Sequence, residues 1–483
     1  MCHYTTGVHC SVGALDGASS CGSRRHELSS LTPALSPRGE SGRQTGLLFA
    51  PWAYLPQLRG SPVSAEPPDT GPPPASRNIL PLAARALMVG VRGNVLYTIL
   101  QPFVLNLGAS VAFLGLLESI GGYRGLVPTL VLPLGGWLAD RSGRKRIIIL
   151  ASIATTMGLL LLALAGTVRA VPLLVPAVML LGLNGLGRPA AEALVGESAG
   201  PERVGYAYGQ ISLAWALAGV VAPLASGYLA DLLGFPRVFA LTAGLEVVGA
   251  FVVIATVSET LTTRRRARLE RGEVRRLTIG LLAPPPHLRA LYLAIVLDTF
   301  SYGLGSALLY GFWADRFGYT PLQFGILTTA FSVSWVVVQL PAARWADRGR
   351  AKELLVIAEL LNVAAIVAWL VSSSFEVFVG SMVVLGIVAA LWSPALMAWV
   401  YIRVPELSRA EELGRVSAVP GFFALPAPWI GGLLYDRLGY AVPLALNLLG
   451  ALAATAVLIW GLEKPDGKPR QDQGGDDTHA RQQ

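Results

Sequence analysis

Several side chains able to carry charge or bind a polar group stand inside long apolar stretches of the chain. Arg92, Asn94, Tyr97 and Gln101 share one stretch; Asn184, Arg188 and Glu192 follow at i, i+4 and i+8 in another; Asp298 and Tyr302 stand at i and i+4 in a third. Such spacings set each group along one helical face. Carboxyls on such a face can take up and release protons, with guanidinium groups nearby to shift the balance. A plainer reading stays open for some of them: Arg188 and Glu192 can pair with each other, and Arg92 can extend its head group to a polar boundary. No cation lies within one helical turn of Asp298, which favours a functional role for it. Glu118 is a further intramembrane carboxyl, with helix packing as its alternative role. All five histidines (3, 9, 26, 287 and 479) fall outside the apolar stretches, so any proton switch must use carboxylates.

A second kind of feature is charged rather than buried. The stretch GGWLADRSGRKR, residues 135–146, separates two apolar runs, and ARWADRGRAK, residues 343–352, repeats the pattern between two others. Gly136 and Gly143 permit close approach and a tight turn, and Asp140 stands at a helix end, where it can face the positive end of a neighbouring helix. In the second copy Ala343 replaces the first glycine, and Asp347, Arg348 and Gly349 are followed by a loop one residue shorter.

Positioning these groups requires membrane helices. The 483 residues are 53% apolar and 14% charged, too little polar surface for a soluble domain of this length. Twelve apolar spans are expected, near 84–106, 111–138, 147–168, 171–195, 205–229, 236–257, 290–312, 321–342, 353–373, 376–400, 417–434 and 440–461, each long enough to cross ~30 Å of hydrocarbon. Lys and Arg concentrate in the loops that follow even-numbered spans, while Arg169, Arg237, Arg316 and Arg437 mark the opposite end. The positive-inside rule then puts both termini in the cytoplasm of a multi-pass cell-membrane protein.

The domain reading has five parts. Residues 1–78, rich in Ser, Gly, Pro and Arg, are expected to be a disordered extension; 79–257 a six-helix bundle; 258–289, with RRRARLERGEVRR, a basic cytoplasmic linker; 290–462 a second six-helix bundle; and 463–483 a disordered tail. The halves repeat: SGYLADLLGF at 226–235 matches GGLLYDRLGY at 431–440, and Pro223 matches Pro428, both 205 positions apart. Repeated six-helix halves are a known transporter architecture with the substrate site between them.

Taken together, these residues resemble the major facilitator superfamily over about 79–462. Its loop motif GxxxDRxGRK is matched by Gly136, Asp140, Arg141, Gly143, Arg144 and Lys145, with Asp347 and Arg348 in the partial second copy. The resemblance implies an all-α membrane protein of twelve helices in two pseudo-symmetric bundles. It also implies that Asp140, with Arg141 and Arg144, latches span two to span eleven on the cytoplasmic side, and that spans one, four, seven and ten line the cavity. Candidate cavity residues are then Arg92, Asn94, Gln101, Asn184, Arg188, Glu192, Asp298, Tyr302 and, in the aromatic wall of span ten, Trp392. The span-five exporter pattern GxxxGPxxGG is matched loosely by Ala218, Ala222, Pro223, Ser226 and Gly227, and Leu181 stands where a span-four pattern has arginine.

The expected function is proton-coupled export of small molecules by alternating access, carried out by a monomer. Import or uniport of a polar solute such as a sugar or organic acid is the alternative, followed by a non-transporting membrane sensor. The three cysteines, Cys2, Cys10 and Cys21, provide neither a disulfide framework nor a metal site for the spans. There is no phosphate-binding loop and no HExxH or GxSxG in a supporting context, so no enzyme, cofactor or metal is expected. The formal charge of +8 resides in loops that encode topology rather than nucleic-acid binding.

Overall fold

The computed structural model describes residues 78–122, 125–199, 203–261, 288–404, 416 and 419–462. The expected N-terminal extension, most of the basic linker and the C-terminal tail lie outside them. Asn78, at the edge of the expected extension, is fully buried: its Nδ2 donates to Ser198 Oγ at 3.1 Å, and its Oδ1 accepts from Ser258 N at 2.9 Å.

Hydrocarbon offers no hydrogen-bond partner, so an apolar stretch must satisfy its backbone internally, and here it does so as helix. The first half holds α1 (Ile79–Asn106), α2 (Val111–Gly121), α3 (Leu126–Ser142), α4 (Arg144–Val168), α5 (Leu174–Gly182), α6 (Gly187–Ala199), α7 (Val204–Leu233) and α8 (Phe235–Thr256). The second holds α9 (Arg289–Leu304), α10 (Leu309–Phe317), α11 (Pro321–Trp345), α12 (Ala351–Val371), α13 (Phe375–Arg403), α14 (Ala427–Leu438) and α15 (Ala441–Gly461). Four expected spans are broken. Span two divides into α2 and α3 around a Gly-rich corner, span four at the 3-10 turn Leu183–Leu186, span seven at Ser306–Leu308, and span eleven at residues 425–426, between helical residues 419–424 and α14. Among the described residues nine helical stretches are long and apolar enough to cross a membrane. One of them, Pro321–Val371, contains spans eight and nine and is broken at Gly349, whose φ of 80° leaves the helical region. With the divided spans two and eleven, this accounts for the twelve.

Packing repeats between the halves. In the first, α8 lies against α1 and α4; in the second, α15 lies against α9 and α12. Two seams join the halves, α2 with α14 and α7 with α11, and they too are related by the repeat. Lipid tails are as apolar as leucine, so helices associate there by close packing and hydrogen bonding. Gly432 of α14 lies so near the Val111 carbonyl that a methyl group would overlap it, and Gly227 of α7 has the same relation to the Pro321 carbonyl.

The buried core is distributed unequally along the bundle axis. At the end away from the charged motif, one continuous cluster runs through both halves, joining Phe103, Val104, Val111 and Leu114 to Leu308, Phe312, Trp313 and Phe378. At the motif end there are two separate clusters. Leu82, Ile148 and Leu194 belong to one, confined to the first half, and Leu291, Leu355 and Val400 to the other, confined to the second. The halves are thus fused at the far end and packed independently at the motif end.

Candidate functional site

A recess lies where the fused core ends. Tyr97 and Gln101 of α1 face Tyr302 of α9, Ser306 of the span-seven turn, Tyr310 of α10 and Met382 of α13 across it. Tyr97 and Tyr302 are 52% and 42% exposed, so aromatic surface is presented rather than buried. The Tyr97 and Tyr310 rings lie 5.5 Å apart, and the Tyr310 hydroxyl shares a 2.7 Å hydrogen bond with Thr328 Oγ1 of α11. Aromatic faces, hydroxyls and a thioether together suit a ligand with an apolar body and a few polar groups.

The break in span seven gives Gln101 its role. Ending α9 at Gly305 frees backbone groups that a continuous helix would pair, and the carboxamide of Gln101 takes two of them. Its Nε2 donates to the Ala307 carbonyl at 2.7 Å, and its Oε1 accepts from the Gly311 N–H, in the first turn of α10, at 2.9 Å. The same Nε2 donates to Glu118 Oε1 at 3.2 Å, which brings the α2 carboxyl directly behind the recess wall.

Of the residues expected to line the cavity, Gln101 and Tyr302 come together here, and the others go elsewhere. Arg92 is 4% exposed and pairs with Glu246 of α8 at 3.0 Å, inside the first bundle. It points away from the recess because a buried guanidinium needs a carboxylate, and α8 supplies one. Asn94 donates to the Gly90 carbonyl of its own helix at 2.8 Å. Asn184 sits in the turn that breaks span four, and Arg188 and Glu192 form an i, i+4 pair at 3.1 Å on α6. Trp392 packs against the motif-end core of the second bundle. Asp298 stands one turn before Tyr302 and near Glu359 of α12, a residue 2% exposed that accepts from Asn362.

Glu246 and Glu359 were missed in the sequence, although each is a lone carboxylate in an apolar run (LTAGLEVVGAF and LLVIAELLNVA), the signal that singled out Asp298.

At the motif end, Gly143 turns the chain with φ of 102°. Asp140 is exposed and reaches Arg144 at 3.5 Å, and Arg144 also pairs with Glu197 at the end of α6. Arg141 stacks over Trp137 at 4.1 Å, while Gly136 is half-buried. None of these contacts crosses to the second bundle, in keeping with the separate cores at this end. Asp347 and Arg348 are exposed as well. The lysines behave in parallel: Lys145 Nζ donates to the Ile254 carbonyl at 2.8 Å, at the end of α8, and Lys352 Nζ to the Ile459 carbonyl at 2.8 Å and to that of Leu462, at the end of α15. Each motif lysine thus caps the last helix of its own bundle, where the helix dipole favours a cation. No cluster of His, Cys, Asp and Glu among the described residues could hold a metal ion.

Among curated proteins the chain is similar to the "Multidrug resistance protein B homolog" of Mycobacterium tuberculosis, 28% identical over 53% of this chain and 44% of that one. It is also similar to multidrug resistance protein MdtG of Escherichia coli, 31% identical over 28% of this chain and 32% of the relative. The chain therefore matches less than half the length of these relatives. Among solved structures, a D-xylose–proton symporter superposes with a TM-score of 0.62 at 14% identity, covering 81% of this chain and 99% of the other. The human organic anion transporter MFSD10 superposes at 0.57 and 19%, covering 80% and 100%. These likenesses give the fold. The family model described as Major Facilitator Superfamily matches residues 82–297 and again 290–481, one match for each half of the repeat seen in both sequence and packing. The chain belongs to the Major Facilitator Superfamily.

Proposed function

We propose that the protein is a secondary active transporter that exports small, partly apolar molecules in exchange for protons, by alternating access around the recess between its two bundles. The observation that carries this reading is the unequal core: one cluster fuses the halves beyond the recess, while separate clusters leave them independently packed on the motif side. That is the arrangement of a transporter open to one face, with the motif end as the cytoplasmic face of a cell membrane and both termini on that side. Residues 79–257, with Asn78 anchored to Ser198 and Ser258, and residues 290–462 are the two moving bodies, and 258–289 links them. The protein acts as a monomer within the bilayer and without a cofactor.

Export is supported by the names of the multidrug resistance relatives and by a recess lined with tyrosines and a methionine rather than by paired cations. The Asp298–Glu359 carboxyl pair is the proposed proton carrier, with Glu118 behind the recess as the group that senses an occupant. In this reading the exposed Asp140 engages span eleven only when the motif end closes, and Asp347 and Arg348 serve the same closure from the second bundle. Arg188 and Glu192 lie on the motif-side path. The second reading, import of a polar solute, is favoured by the fold shared with a sugar–proton symporter. Proteoliposomes with an imposed pH gradient separate the two. Export requires substrate movement opposite to protons, and movement with protons would establish import instead.

A further inference from the structure

The matching decapeptides SGYLADLLGF and GGLLYDRLGY each place an aspartate three residues before the glycine that ends a helix, Gly234 for α7 and Gly439 for α14. An acid in the last turn opposes its own helix dipole, so the position is unfavourable for the helix that carries it. Both aspartates serve a helix of the other bundle. Asp231 Oδ2 accepts from the Leu322 N–H at 3.0 Å, in the first turn of α11; Asp436 Oδ2 accepts from the Ala112 N–H at 2.9 Å, in the first turn of α2.

The receiving helix ends match too. Each already has a cap of its own, Ser110 accepting from Phe113 N at 3.2 Å and Thr320 accepting from Gln323 N at 3.4 Å. Each still has first-turn N–H groups without an intrahelical partner, and the opposite bundle supplies an acceptor for one. One turn or so before each aspartate, Gly227 and Gly432 allow the backbones to approach closely enough for this reach. Two contacts between separate bundles, at equivalent places in a duplicated chain, are the mark of a shared task.

We infer that Asp231 and Asp436 form a paired clasp that holds the two bundles closed at the far end, and that both contacts must release before the recess opens to that side. The clasp rests on the alternating-access reading only in taking the far end as one that opens. It sits at the opposite end from the charged motif, and it uses exposed carboxylates against helix ends, so each contact is strong enough to hold and weak enough to break during a transport cycle. Replacing an N-cap acceptor by alanine changes a local equilibrium by roughly fivefold, so losing both should shift the open-to-closed ratio by about 25-fold.

The test uses the full chain in nanodiscs with Cys2, Cys10 and Cys21 replaced by serine and spin labels on Val168→Cys and Val371→Cys. These positions are exposed ends of α4 and α12, one in each bundle, away from both seams. Dipolar distances without substrate should show a single short population for the unaltered clasp, a minor longer one for Asp231→Ala or Asp436→Ala, and a predominant or much enlarged longer one for the double variant. An unchanged distribution in a folded double variant overturns the clasp, and so does a single variant that equals the double. If the double alanine variant does not fold, Asp231→Asn with Asp436→Asn keeps an acceptor and loses the charge; a smaller shift in the same direction is expected, and no shift overturns the proposal. Wild-type protein that moves nothing in liposomes would end the transport reading but leave these distances as evidence for the clasp, whereas unchanged distances would end the clasp alone.

Discussion

Removing the Arg92 guanidinium with Arg92→Leu takes away the salt-bridge partner of Glu246 inside the first bundle and leaves buried Arg85 as the neighbouring cation. The side chains are 5% and 3% exposed and meet at 3.0 Å, so neither is screened by water. Breaking a buried pair from one side costs about 3–5 kcal/mol, because the remaining charge stays desolvated, whereas replacing both partners with apolar side chains is often neutral. Arg92→Leu and Glu246→Leu should each lose that amount, and the double variant should recover most of it, for a coupling energy of about 3 kcal/mol or more. Thermal unfolding of the four proteins in one detergent, at one scan rate, measures this cycle as a set of midpoints. Flux at a temperature where all four are folded should fall little in the double variant, since neither residue lines the recess. If the double variant is as unstable as the two singles summed, the pair is not what stabilises the site. If Arg92→Leu abolishes flux while leaving the midpoint unchanged, Arg92 is a substrate residue and the structural account of it fails.

Three further outcomes follow from the same geometry. Asp298→Asn and Glu359→Gln should each uncouple flux from an imposed pH gradient in proteoliposomes while leaving gradient-independent exchange in place; intact coupling in both would remove the pair as proton carrier. Gly432→Ala pushes a methyl group into the Val111 carbonyl, so the α2–α14 seam should loosen by about 1–3 kcal/mol, read as increased labelling by an impermeant maleimide, from the far side, of Ser306→Cys in the chain without its native cysteines. Lys145→Ala and Lys352→Ala should each cost about 0.3–1 kcal/mol of stability, read as similar small drops in the unfolding midpoint, as equivalent helix caps in two equivalent bundles.

Much of the architecture was legible in the residues. Twelve apolar runs, the motif at Asp140, its partial copy at Asp347 and the 205-residue repeat required only local pattern and hydropathy. Even the broken spans carried signals, with glycines at 121, 122 and 125, Asn184–Gly185 and Gly305 where helices end. The partners of the polar residues were not legible, because partnership is a tertiary fact. Arg92 meets a residue 154 positions away, Asp436 one 324 positions away, and Gln101 reaches a carbonyl freed by a helix break 206 positions later. Helical spacing treated Arg92 and Gln101 alike. Burial against α8 separates one from the other. The motif lysines show the same limit: their place between two apolar runs was legible, and their capping of α8 and α15 depends on how each bundle closes.

The central claim is that the recess opens to one face at a time. Ser306→Cys, in the chain without its three native cysteines, puts a thiol on the recess wall of the span-seven turn. An impermeant maleimide should modify it from the motif side in the resting protein, and from the far side only when the clasp is released, with the motif-side rate falling as the far-side rate rises. Simultaneous access from both faces, or far-side access in the resting protein, would contradict the account.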